Sequence, residues 1–426
     1  MDGFNKRGSV FLQNVILDGK KVNINISDGR FTAIGADISA PENVRIIDGK
    51  GELAVIPPFY NSHNHAAMTL FRGYSDDMKV LEWLEKYIWP AEAKMDAHDV
   101  YIGTKLAIIE MIRTGTVFFN DMYWFPSETY RAAVEMGMRA QIGIMVICAP
   151  GGEVLDRAQV ANDQLWQMAA DMPSDRVKIS AAPHAIYTVP GEALKKLGKM
   201  AAEKDMFIHI HASESMTEVE NCLKEHGKTP IAYLDELGVL NERCVLAHCT
   251  NITGADAELI SSRGAVIAHM PVSNMKLASG IFDLEMALAA GCKVTIGTDG
   301  CCSNNNLSMF DEMKCAALAA KIKHMQADVG NAGNIYRCAT GNCAAAFNIN
   351  AGKIAVGMDA DALLVDLNSH FMVADYEMVS NLVYAADSSI VNTVICDGNV
   401  LMENRVIPGE KEIIDEARRL CDKFRC

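Results

Sequence analysis

Two hydrophobic patterns divide the chain, and they change near Pro57-Pro58. Residues 1–56 carry short segments in which apolar and polar positions alternate: VFLQNVIL, VNINIS, FTAIGADI and RIID. Period-two alternation predicts strands with one buried face. Asp18-Gly19 and Asp28-Gly29 fall between such segments and read as hairpin turns. From residue 53 onward, continuous apolar runs of strand length alternate with helical stretches such as VYIGTKLAIIEMIRTG and PGEALKKLGKMAAEKD. Eight runs read as strands, at residues 53–56, 116–120, 140–148, 178–182, 206–211, 244–248, 265–269 and 293–298. Strands apolar on both faces and separated by helices belong to a parallel sheet. Eight such units over roughly 250 residues predict an α/β fold, a closed (β/α)8 barrel, assigned to residues 57–356. Beyond it the β pattern returns in DALLVDL, NTVICDG and NVLMENRVI, and EKEIIDEARRLCDKFRC reads as an amphipathic helix. Residues 357–426 are expected to join 1–56 in one small β-sandwich, because neither fragment alone buries a face.

Composition changes this picture little. Half of the 426 residues are hydrophobic but only 7% are aromatic, so the core rests on aliphatic side chains and the 24 methionines. A formal net charge of −15 excludes nucleic acid as the main partner, because phosphate backbones attract basic surfaces. The 13 cysteines are odd in number, scattered and without a CxxC pair, which predicts reduced, buried thiols. No run approaches about 18 consecutive apolar residues, and the N-terminus lacks a signal-peptide core. The expectation is a cytoplasmic protein with a small-molecule partner and no membrane span. A homo-oligomer is compatible with this.

In a barrel of this kind the chemistry stands at the C-terminal strand ends. The first run is followed by NSHNHAAM, where His63 and His65 lie two apart and share one side of an extended chain. The fifth run, MFIHIHASE, offers His209 and His211. His211 is nearer the strand end and is the ligand candidate, while His209, one layer deeper, is expected to be a packed core histidine. Glu214 follows in the loop. The sixth run ends at His248 and the eighth at Asp299. A single polar strand end is ordinary, but this set in barrel order points to a transition-metal site with proton-carrying groups beside it. The residues Met270, Pro271, Ser273 and Asn274, and Ser303 to Asn306, read as loop residues over the pocket, where Ser and Asn also serve as turn formers. There is no P-loop, GxGxxG or GxSxG.

The segments FYNSHNHAAMTLFRGYSDD, HIHASE, LAHC, HMPVSNMKLASG and TIGTDGCCSNNNLSMF resemble the amidohydrolase superfamily. Within it they are similar to the branch holding methylthioadenosine/S-adenosylhomocysteine deaminases and chlorohydrolases. The resemblance implies one divalent metal on His63, His65, His211 and Asp299, with zinc expected and iron(II) the alternative. Two-metal members use a carbamylated lysine at the end of strand four. Here that run reads KISAAPHAIYT, with Lys178 at its start and His184 at its end. The implied reaction is hydrolytic deamination of an aminated purine or purine nucleoside, in which a metal lowers the pKa of water from 15.7 towards ~7. Asp299 would take the proton of the attacking water, His248 would polarise its oxygen, and Glu214 would protonate the ring nitrogen before ammonia leaves. The resemblance also implies substrate contacts from Trp83, Glu92, His184 and Glu214. Trp83 reads equally as core of an amphipathic helix, and Glu92 as a solvated residue. Members that accept a homocysteine carboxylate are expected to offer an arginine near strand three, and only Arg157 is a candidate. Adenosine, methylthioadenosine and deoxyadenosine therefore fit more easily than S-adenosylhomocysteine. A pterin, guanine, chlorotriazine or amide substrate is the alternative on the same scaffold. A non-catalytic barrel would be expected to have lost its ligands.

Overall fold

The computed structural model describes residues 6–78, 84–149 and 153–425, apart from the side chains of 156–158. Strands β1 (Val10–Leu17), β2 (Lys20–Ser27), β3 (Arg30–Gly35), β4 (Arg45–Asp48) and β5 (Leu53–Ile56) come first. Then follow β6 (Phe59–Asn64), β7 (Thr116–Asp121), β8 (Arg139–Val146) and β9 (Val177–Pro183). The second half of this series is β10 (Ile208–Ala212), β11 (Cys244–His248), β12 (Val266–His269) and β13 (Lys293–Ile296). The chain ends with β14 (Ala362–Asp366), β15 (Val391–Cys396), β16 (Asn399–Met402) and the helix Glu410–Cys421.

Strands β6 to β13 are hydrogen-bonded in chain order, each parallel to the next, with helices between them. This is the expected α/β barrel. Its two edge strands meet where the Asp299 amide donates to the His63 carbonyl at 3.1 Å. Gly297 permits that approach: a Cβ there would lie 2.7 Å from the His63 nitrogen. Every residue of β7, β8 and β11 is buried, polar side chains such as Asn120 and Gln141 included.

The expectation for residues 53–56 requires correction. They form β5, which pairs antiparallel with β14 in the terminal sheet, and the first barrel strand is β6. Pro57-Pro58 separates the two. Proline has no N–H to offer a ladder, so the chain leaves one sheet and enters the other across these residues. Both segments are apolar and of strand length, so pattern alone does not assign them to different sheets.

The two chain ends share one eight-stranded mixed sheet, in the order β16-β15-β14-β5-β1-β2-β3, with β4 also paired to β1. The barrel meets this sheet across buried charges. Arg139, 7% exposed at the start of β8, contacts Asp359, Asp361 and Asp397 at 3.3, 2.9 and 3.2 Å. Arg176 also reaches Asp397, at 3.3 Å, and the Tyr60 hydroxyl donates to Asp361 at 3.0 Å. The C-terminal helix returns to the barrel as well. Phe424 packs edge-on against Phe71 with centroids 4.9 Å apart, and Lys423 lies 2.5 Å from Asp99. The twelve cysteines described are all free, and nine of them are buried. Among the described residues no helix is long and apolar enough to cross a membrane.

Candidate active site

Strand ends deliver the histidines. His63 lies in β6, His65 just beyond it, His211 in β10 and His248 at the end of β11. Asp299 follows β13. The Nε2 atoms of His65 and His211 are 3.3 Å apart, and the Asp299 Oδ1 lies 3.4 Å from His63 Nε2 and 3.3 Å from His65 Nε2. Each ring is oriented from behind. His65 Nδ1 donates to the Met122 carbonyl at 2.5 Å, and His211 Nδ1 to the His184 carbonyl at 2.8 Å. A carbonyl only accepts, so both Nδ1 atoms carry the proton and both Nε2 atoms present bare lone pairs to each other. Buried lone pairs at that distance repel unless a cation lies between them. His63 Nε2, also buried, has no hydrogen-bond partner. Ligand bonds of 2.0–2.1 Å in a tetrahedral arrangement place donor atoms about 3.4 Å apart. The residues therefore fit a divalent metal. Lys178, by contrast, is exposed at the start of β9, away from these strand ends.

Proton-handling groups stand beside that centre. His248 Nε2 lies 3.8 Å from a Glu214 carboxylate oxygen, and His248 Nδ1 donates to Asn274 Oδ1 at 2.8 Å. Burial opposes the charged form of His248, but Glu214 and Asp299 outweigh it and raise its pKa. Burial would likewise raise the Asp299 carboxyl. The facing His63, with His65 and His248, holds it well below the usual carboxylate range. His63 itself is lowered to about 4, chiefly by burial. Ser273 donates to Asp299 Oδ2 at 2.6 Å. The Glu214 loop is pinned by Glu218, whose two carboxylate oxygens accept from the Ser213 and Glu214 amides at 3.0 and 2.8 Å. His248 (φ +73°) and Asp299 (φ +62°) both adopt the left-handed backbone region, which is sparsely used by residues other than glycine.

A cavity opens above these groups. Glu92 lines it, only 6% exposed, and accepts from Trp124 Nε1 at 3.2 Å. It is thus a buried polar group and not a solvated helix residue. His184 lines the cavity as well, its Nδ1 paired with the Thr188 hydroxyl at 2.9 Å. The rest of the wall is largely apolar, including Met68, Ile88, Met122, Met145, Ile147 and Leu277. Trp83 lies outside the described residues, as does the Arg157 side chain; Trp89 and Trp124 are the tryptophans described in the wall.

Ser273 and Asn274, expected only as loop residues over the pocket, orient Asp299 and His248. His209, expected as a packed core histidine, meets the His63 ring. The MPVSN segment after strand seven carried the right residue types, but its partners lie 26 residues away in each case, so spacing gave no signal.

The chain matches the Amidohydrolase family over residues 54–401. It is 40% identical over 423 residues to 5-methylthioadenosine/S-adenosylhomocysteine deaminase 1 of Archaeoglobus fulgidus, covering 98% of each chain. It is 41% identical over 421 residues to the 5'-deoxyadenosine deaminase of Methanoregula boonei, covering 98% of this chain and 95% of that one. Among solved structures, an adenosine deaminase from Xanthomonas campestris with bound zinc superposes with a TM-score of 0.90 at 31% identity, covering 99% of each chain. The atrazine chlorohydrolase TrzN of Arthrobacter aurescens shares the fold, with a TM-score of 0.87 at 22% identity and 97% of this chain covered. A match of this extent, laid over strand ends that gather imidazoles and a carboxylate, places the chain in the amidohydrolase family.

Proposed function

We propose that this chain is a hydrolytic deaminase of an adenine nucleoside with an uncharged 5' end, using one zinc ion held by His63, His65, His211 and Asp299. The observation that carries the reading is the approach of Glu214, His248 and Asp299 to one point beside the converging ligand atoms. The metal, when bound, makes hydroxide available at neutral pH. Asp299, held as a carboxylate, accepts the proton of the attacking water. His248, fixed by Asn274, polarises the oxygen as it adds to the amine-bearing carbon. Glu214 carries a proton to the adjacent ring nitrogen, which breaks the aromaticity of the ring. Asp299 then passes its proton to the amino group, which leaves as ammonia while the added hydroxyl gives up its proton to Glu214 and becomes the carbonyl. Glu92 and His184 line the cavity where ribose hydroxyls and the base would lie.

The apolar wall supports an uncharged 5' group. Among the described residues that line the cavity there is no lysine or arginine, so a substrate carboxylate would meet no cation from these residues. The 5'-deoxyadenosine deaminase relative agrees with this choice, whereas the Archaeoglobus fulgidus relative is named for both methylthioadenosine and the carboxylate-bearing S-adenosylhomocysteine, so the substrate panel must include both kinds. Ammonia release from 5'-deoxyadenosine, methylthioadenosine, adenosine, S-adenosylhomocysteine, guanine and a pterin, with metal content measured on the same sample, tests the reading. Turnover of the first two above S-adenosylhomocysteine is expected. A preference for the carboxylate-bearing substrate would overturn the assignment at the 5' end, and metal without any ammonia would overturn deamination.

A further inference from the structure

His209 sits on β10, two residues before His211, with none of its surface exposed. It does not pack against apolar side chains alone. Its Nε2 lies 2.7 Å from His63 Nδ1, with the two rings nearly perpendicular and their centroids 4.8 Å apart. One of these nitrogens must donate and the other accept. If His63 is to present Nε2 as a lone pair to the converging donor atoms, its own proton is on Nδ1, so His209 Nε2 is the acceptor. The neutral His209 ring then carries its proton on Nδ1, and that atom is buried with no partner. An unsatisfied buried polar atom is destabilising, a cost that a leucine or phenylalanine at this depth would not incur.

We infer that His209 is a positioning residue for the metal centre. By accepting from His63 Nδ1 it fixes the tautomer and ring direction that His63 needs as a ligand. His65 and His211 are set in the same way by the Met122 and His184 carbonyls. His63 has no such carbonyl, and a side chain from the far side of the barrel fills that place. This rests on the metal reading above, and a partner that orients a ligating histidine is typically worth 10–100-fold in metal affinity.

Zinc affinity, measured by competition with a chromogenic chelator, tests it, alongside the visible spectrum of the cobalt-loaded protein and the melting of the metal-free form. His209→Leu removes the acceptor at similar bulk. His209→Gln can place a carbonyl oxygen where Nε2 stood. His209→Asn is too short to do so. The expected result is a 10–100-fold weaker zinc affinity for His209→Leu, a changed cobalt spectrum, and recovery of most of the affinity in His209→Gln. Should the leucine variant fail to fold, the asparagine variant takes its place against glutamine. Parental affinity in His209→Leu, or equal losses in the glutamine and asparagine variants, would overturn the inference while leaving the metal reading intact. A parent chain that does not bind zinc would overturn the metal reading itself, and this inference with it.

Discussion

Glu214 stands 3.8 Å from His248 through a loop held by the Glu218 carboxylate, and its proposed work is proton delivery. Glutamine at this position keeps the shape and hydrogen-bonding reach but has no acidic proton. Glu214→Gln is therefore expected to retain metal and to lose about 10²–10⁴-fold in kcat, measured as ammonia release with metal content determined in parallel. Full turnover would remove Glu214 from the chemistry. A second carboxyl makes a prediction about pH. Asp121 ends β7, is 1% exposed and accepts from the Ala66 amide at 2.6 Å, while its other oxygen has no partner. Burial raises its pKa from 3.8 to about 7. The folded state thus holds a proton that the unfolded state has already released. Between about pH 4 and pH 7 the folded state binds more protons, so stability falls as pH rises through this window. The full effect is up to about 4 kcal/mol. Melting of the metal-free protein across this range should show the decline, and Asp121→Asn should flatten it. An unchanged slope in that variant would place the dependence elsewhere.

At the scale of elements, the site depends on how strand ends and helix starts are pinned. Ser215 caps the helix Met216–His226 by accepting from the Glu218 amide, and Glu218 turns back to hold the loop that carries Glu214. The barrel closes at Gly297, where the strand bearing Asp299 passes the backbone of His63 too closely for any side chain. Gly297→Ala is expected to cost about 1–3 kcal/mol through overpacking and to weaken metal binding by displacing His63. Denaturation and chelator competition on the same variant would show both effects. Lost stability with unchanged zinc affinity would mean that the clash relaxes away from the ligand.

For the whole molecule, the buried charges between barrel and terminal sheet decide how firmly the two sheets are joined. Arg139 meets three carboxylates in a seam where it and Asp361 are almost fully buried. Removing one partner of a buried ion cluster leaves charge uncompensated and typically costs 3–5 kcal/mol. Arg139→Met should lower stability by about that amount in chemical denaturation, even though methionine is the more apolar residue. A neutral result would show that the remaining arginines at this seam, Arg7, Arg30 and Arg176, compensate the carboxylates. The proposed division into residues 1–56, 57–356 and 357–426 belongs to this scale too. It predicts that the first and last parts unfold together, and proteolysis of partly denatured protein would separate them if they do not.

The periods along the chain specified much of this molecule. Continuous apolar runs between helices give a parallel barrel, because strands buried on both faces have no polar side to show. Period-two alternation with Asp-Gly turns gives the β structure at both ends. His63, His65, His211, His248 and Asp299 were legible as candidates because a barrel places strand ends on one rim, so position along the chain stands in for position in space. That substitution fails wherever the partner is set by the fold. Residues 53–56 resemble a barrel strand in pattern, yet they pair with β14 more than 300 residues later. His209 lies two residues from a ligand candidate, and only the crossing of β6 and β10 shows that its ring supports His63. Ser273 and Asn274 become orienting groups for the same reason. Hydrogen bonds act over about 3 Å, and only the folded chain decides which atoms come that close.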